Sequence, residues 1–167
     1  MKKTLLLVAL TIGFIGQAQV FQGKGDSKFN VGADFQNNAT GVQATYDYGL
    51  GQNISVGLTF GYALGVDGVE PDGTTPNFDK RAMVRARFNA NLGSVLNIDP
   101  NLDIYPGLAL STKNFGGHLG ARYFFSEGFG LYTEMAVPFA KYDTGVLTPG
   151  QELYNQFVLS VGTSFNF

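Results

Sequence analysis

The feature that most constrains this chain is a repeat of two residues. From Lys28 to Phe167 apolar residues recur at every second position, break at turn signals and resume. In NISVGLTFGYALG, Ile54, Val56, Leu58, Phe60, Tyr62 and Leu64 alternate with Ser55, Gly57, Thr59, Gly61 and Ala63. A helix, with 3.6 residues per turn, would smear that pattern around its surface, whereas a strand sends successive side chains to opposite faces. The C-terminal FVLSVGTSFNF repeats it, with Phe157, Leu159, Val161, Thr163, Phe165 and Phe167 on one face.

The pattern predicts eight strands: KFNVGADFQ, GVQATYDYGL, NISVGLTFGYALG, RAMVRARFNANL, LDIYPGLALS, GHLGARYFF, GLYTEMAVPFAKY and FVLSVGTSFNF. Short links join them, and parallel pairing would need crossover segments that are not there, so the strands form an antiparallel meander. Pro106 lacks a ladder donor and is expected to bulge or bend the fifth strand. Links 37–40, 65–79, 112–116 and 143–152 fall at one end; the other three links and both ends of the exported chain fall at the opposite end. An even strand count with longer loops at one rim is the layout of an outer-membrane barrel.

The beginning, MKKTLLLVALTIGFIGQAQ, sets Lys2 and Lys3 before an apolar run from Leu5 to Ile15 and then Gly16, Gln17 and Ala18. This predicts a secretory signal peptide over 1–18, cut after Ala18, and a barrel domain over 19–167. The run is shorter than the roughly 20 residues a spanning helix needs. Without cysteine there is neither a disulfide framework nor a thiolate metal site.

Which face meets lipid follows from the polar positions. They carry Gly, Ser, Thr, Asn, Ala and few charges, and charged residues total 14% of the chain, too few for a wall meeting bulk water. Lys24, Lys28, Lys80, Lys113 and Lys141 sit at strand ends or outside strands, where long cationic chains reach water at a membrane interface. The Phe, Leu, Val, Ile and Tyr face is therefore expected outside. Its aromatics gather at strand ends: Phe29, Tyr48, Phe165 and Phe167 at one rim, Tyr62, Phe139 and Phe157 toward the other, as in aromatic girdles. An open edge in hydrocarbon would strand unpaired N–H and C=O groups, so the last strand is expected to pair with the first.

With the signal segment, the LGARYFFSEGFGLYTEMAVPF hairpin and the final SFNF, the chain resembles the small eight-stranded outer-membrane barrels of Gram-negative bacteria, the OmpX, OmpA-domain and OmpW-like group. The resemblance implies an outer-membrane location, contact with its lipids, and an assembly signal at Phe165 and Phe167 read by the barrel-assembly machinery.

By parity the lumen receives Asp34, Asp47, Arg81, Arg85, Arg87, Asp103, His118, Arg122 and Glu134. Eight strands leave an interior just wide enough for side chains, and bare charges there are costly, so pairing is expected. The turn at Ser126–Gly128 predicts an Arg122–Glu134 pair, and Arg81 and Arg85 share a rim with Asp34. The resulting expectation is a barrel with a charged, filled lumen and a structural or adhesive role, monomeric, touching external ligands through loop 65–79. Two alternatives accompany it: a narrow gated channel for small solutes or ions, and a soluble periplasmic lipocalin-like ligand binder. No catalysis is expected, because His118 and Glu134 stand apart along neighbouring strands. Asp67, Glu70 and Asp72 miss the EF-hand spacing, no metal or cofactor is expected, and the scattered cations offer no stripe for nucleic acid.

Overall fold

The structure, a computed structural model, describes residues 20–167; the signal peptide expected over 1–18 lies outside the described residues. Eight strands, β1 (Ser27–Gln36), β2 (Ala39–Gly49), β3 (Ile54–Val66), β4 (Ala82–Ala90), β5 (Leu102–Ser111), β6 (Asn114–Ser126), β7 (Phe129–Lys141) and β8 (Val158–Asn166), pair in sequence order. β8 returns to β1, antiparallel from Lys28 opposite Asn166 to Gln36 opposite Val158, and closes an up-and-down barrel.

The alternation sorts directly into outside and inside. Leu58, Phe60, Phe88, Leu108, Leu119, Leu131 and Val137 are exposed, while Asn30, Thr45, Asp47, Thr59, Asn89, Asp103, Arg122 and Ser164 are buried. This is the inverse of a water-soluble domain. It removes the lipocalin-like alternative, which needs the apolar face around a central ligand chamber.

Two local readings change. β6 begins at Asn114, three residues before the predicted start, because the chain needs only Thr112 and Lys113 to turn back from β5. Pro106 produces no bulge, and β5 runs in continuous register with β6 through Pro106 opposite Leu119. Its missing N–H falls on the other side, where the ladder with β4 ends at Gly107 opposite Asn89. Register shifts occur instead at Thr40/Gly41, Phe115/Gly116 and Phe124/Ser126, beside the rims, where bulges commonly end pairing.

Candidate functional site: the charged lumen and its two mouths

The centre of the lumen is a chain of alternating charges. Arg122 on β6 places Nη1 3.2 Å from Asp47 Oδ2 and Nη2 3.2 Å from Asp103 Oδ2. Arg87 on β4 reaches the same Asp47, with Nε 3.1 Å from Oδ1, and donates to Glu134 on β7, Nη2 to Oε2 at 2.7 Å. Asp103, Arg122, Asp47, Arg87 and Glu134 thus form one line drawn from five strands. Each guanidinium spans two carboxylates and offers more donors than a lysine could, which is how a fully buried cation recovers its lost hydration.

The pair predicted between Arg122 and Glu134 does not form. In the β6–β7 register Glu134 stands opposite Gly120 and Arg122 opposite Tyr132, so the two charges are offset and each finds a partner across the lumen. Neutral groups complete the line. Arg122 Nη2 also donates to Asn91 Oδ1 at 3.1 Å, and His118 Nε2 lies 2.7 Å from Asn89 Oδ1. The Tyr105 ring is fully buried, with the Arg122 guanidinium 4.2 Å and that of Arg87 5.6 Å from its centroid. Gly120 makes this stacking possible, because a Cβ there would overlap the Tyr105 ring.

Toward the loops, Asp34 accepts a hydrogen bond from Ser160 Oγ at 2.7 Å. Arg85 is 6% exposed and stands in the fields of Glu134 and Asp34 without a salt bridge to either. Arg81 does not enter the lumen. It ends the helical turn Phe78–Arg81, its guanidinium lies over the Tyr62 ring at 5.0 Å, and it donates to the carbonyls of Ala63 and Leu64. The ladder between β3 and β4 stops at Tyr62 opposite Ala82, so Arg81 satisfies carbonyls that have run out of strand. Parity failed there because the chain is helical at that position.

Lys28, expected at a water-facing interface, lies inside instead. It is completely buried at the terminal mouth, its Nζ 2.6 Å from Asp26 Oδ2 and from Asn166 Oδ1, between the rings of Phe21 and Phe124 at 5.9 and 5.5 Å. Its even position, shared with Asn30 and Asp34, was the available signal. The loop mouth is closed by an apolar cluster: Leu153 and Tyr154, carried in on the last loop, pack with Ala39, Ala63, Met83, Ala136 and Val158. Nothing in the alternation marks Leu153 and Tyr154, because they lie outside strands.

Two loops are tied over that mouth. Glu70 accepts from the Gly150 N–H at 2.9 Å and from Lys80 Nζ at 3.0 Å, and Lys113 Nζ donates to the carbonyls of Lys80 and Gly150. Burial alone would raise the Glu70 carboxyl, but the hydrogen bonds from Lys80 and Gly150 outweigh it and hold it below its ordinary value. Burial pushes the Lys113 ammonium down to about 8, against the pull of Asp79 and Asp143. Asp72 caps its own turn, accepting from the Thr74 N–H and hydroxyl. At the opposite rim the Phe165 ring meets Phe129 edge to face at 5.7 Å, and Phe167 is 79% exposed.

Residues 11–167 match the model of a family of unknown function, DUF6646. No curated protein matches the chain. Among solved structures, a de novo designed transmembrane β-barrel is 13% identical, with a TM-score of 0.59 over 89% of this chain and 100% of that one. The N-terminal β-barrel domain of OprF from Pseudomonas aeruginosa is 16% identical, with a TM-score of 0.56 over 87% of this chain and 100% of that one. At such identities the likeness establishes the fold, the small eight-stranded barrel of the outer-membrane type.

Proposed function

The chain belongs to that family of unknown function, and from this premise we propose that it is an outer-membrane protein with a filled, non-conducting lumen that acts through its loops, as a structural or adhesive element. The observation that carries the reading is the unbroken line of ion pairs from Asp103 to Glu134, closed above by Leu153 and Tyr154. An interior so occupied leaves the outer surfaces to make contacts. The exposed apolar band supports a lipid environment. The chain acts as a monomer delivered by the barrel-assembly machinery, with Phe165 and Phe167 as its signal. The reading assigns it no catalysis, which is supported by the engagement of Ser160 with Asp34 and of His118 with Asn89: among the described residues these groups form no serine, histidine and carboxylate set.

A narrow ion path is the second reading, favoured by buried polar atoms without hydrogen-bond partners below the loop mouth, among them Asp34 Oδ2, Arg85 Nε and the Tyr154 hydroxyl. Cell fractionation, followed by gel mobility of unboiled and boiled membranes and by conductance in planar bilayers, tests both. An outer-membrane protein with heat-dependent mobility and no unitary conductance is the expected result. Release with soluble periplasmic protein would overturn the location, and steady conductance by the unaltered protein would replace the filled lumen with the ion path.

A further inference from the structure

The outer wall carries a two-part recess at the loop rim. Its lower part is an apolar groove of about 570 Å³ on the lipid-facing side of β1–β4, floored by the small Ala44 and Ala82 and walled by Phe60, Tyr62, Phe78 and Val84. Phe78 leans on Tyr62, ring centroids 5.3 Å apart, and is itself 72% exposed. Its upper part, about 290 Å³, is more polar and is lined by Gly65, Thr75, Pro76 and Arg81 among others. Arg81 joins the two, stacked on the Tyr62 ring below and facing the polar recess above.

Arg81 is also set apart electrostatically. Among the described residues it has no carboxylate partner, and the acceptors it does have, the carbonyls of Ala63 and Leu64, fix its position without neutralising its charge. A pinned cation over the girdle residue Tyr62, above an apolar trough and beside a polar recess, matches an amphiphile with a hydrocarbon tail and an anionic head.

We propose that this recess binds one anionic membrane lipid, an acyl chain lying in the groove over Ala44 and Ala82 and its phosphate head held by Arg81. The inference rests on the reading that this wall faces lipid. The groove sets the length of chain accommodated and the guanidinium sets the head-group charge, so zwitterionic lipids lose the part of the affinity that comes from Arg81.

The experiment uses the folded full-length barrel in neutral detergent micelles, with phosphatidylglycerol or phosphatidylcholine added and retained lipid counted by native mass spectrometry. Gel mobility before boiling reports folding separately, so a barrel that fails to form counts against the membrane reading and not against the site. Phosphatidylglycerol is expected to be retained as a single copy, about fivefold more tightly than phosphatidylcholine. Arg81→Gln removes that preference while Arg81→Lys keeps most of it, and Ala82→Phe, which fills the groove, weakens both lipids. Equal retention of the two lipids by the unaltered barrel, or an unchanged preference in a folded Arg81→Gln barrel, overturns the proposal. Full displacement by inorganic phosphate, with Ala82→Phe binding normally, also overturns it and leaves an anion site without a lipid.

Discussion

At the terminal mouth of the barrel an ammonium is buried between two phenylalanines, whereas at the loop mouth a leucine and a tyrosine are buried among alanines, a methionine and a valine. The terminal closure is local. Asp26 lies two residues before Lys28, and Asn166 faces Lys28 across the β1–β8 ladder. The loop closure is brought in from outside the sheet, with the Tyr154 N–H donating to Gln36 and its carbonyl accepting from Asn114. These bonds hold Tyr154 at a φ of 63°, a left-handed backbone unfavourable for a bulky residue. The contrast separates two ways of filling a narrow lumen. Charges are placed where rigid strands bring partners with the register, since a misplaced buried charge is very costly. The part carried on a loop is apolar, since its withdrawal costs burial but leaves no bare charge behind.

The sharpest way to break this contrast is to unpair the strand-borne line. Arg122→Ala leaves Asp47 and Asp103 facing each other's charge without a cation between them, and a loss of about 3–5 kcal/mol is expected in urea titration of the micelle-refolded barrel. Leu153→Ala at the loop mouth should cost less, about 2–3 kcal/mol, with faster hydrogen exchange in 148–157 and little change near Arg122. Because the two sites share no partner, the double variant should equal the sum of the single ones within about 0.5 kcal/mol. A larger coupling would mean that the two regions act as one. Gly120→Ala drives a methyl into the Tyr105 ring and should cost about 1–2 kcal/mol through overpacking, visible as altered tyrosine near-ultraviolet circular dichroism.

The smallest expected effect is on the tie between the loops. Because the Glu70 carboxyl is held below its ordinary value, its contribution is complete above that ordinary value and disappears as pH falls through the lower folded value. Hydrogen exchange in 67–75 and 148–152 should therefore rise on acidification while exchange in the strands stays unchanged, and Glu70→Gln should show the raised exchange already at neutral pH. Loops that remain protected in that variant would place the tie elsewhere.

Much of the lumen was legible from parity. Asp34, Asp47, Arg85, Arg87, Asp103, His118, Arg122 and Glu134 are all buried inside, because in a closed sheet every second side chain has nowhere else to go. Arg81 was misread because two-residue parity ends where the backbone turns helical, and Lys28 because a terminal lysine usually reaches water. The pairing of Arg122 was misread because the register sets Asp103 on β5, and not Glu134 on β7, directly opposite it, while the narrow barrel also brings Asp47 within reach from the far wall.

What the sequence by itself determined is the strand count, the meander and the division into lipid-facing and lumen-facing sides, since these follow from alternation and from turns, which are local. Only the tertiary structure decided which charges meet across the lumen, that Lys28 and Asp26 close one mouth, and that Leu153 and Tyr154 close the other. Such contacts depend on the stagger with which β8 meets β1 and on where a loop folds back. Neither leaves a periodic trace, because closure is a property of all eight strands together.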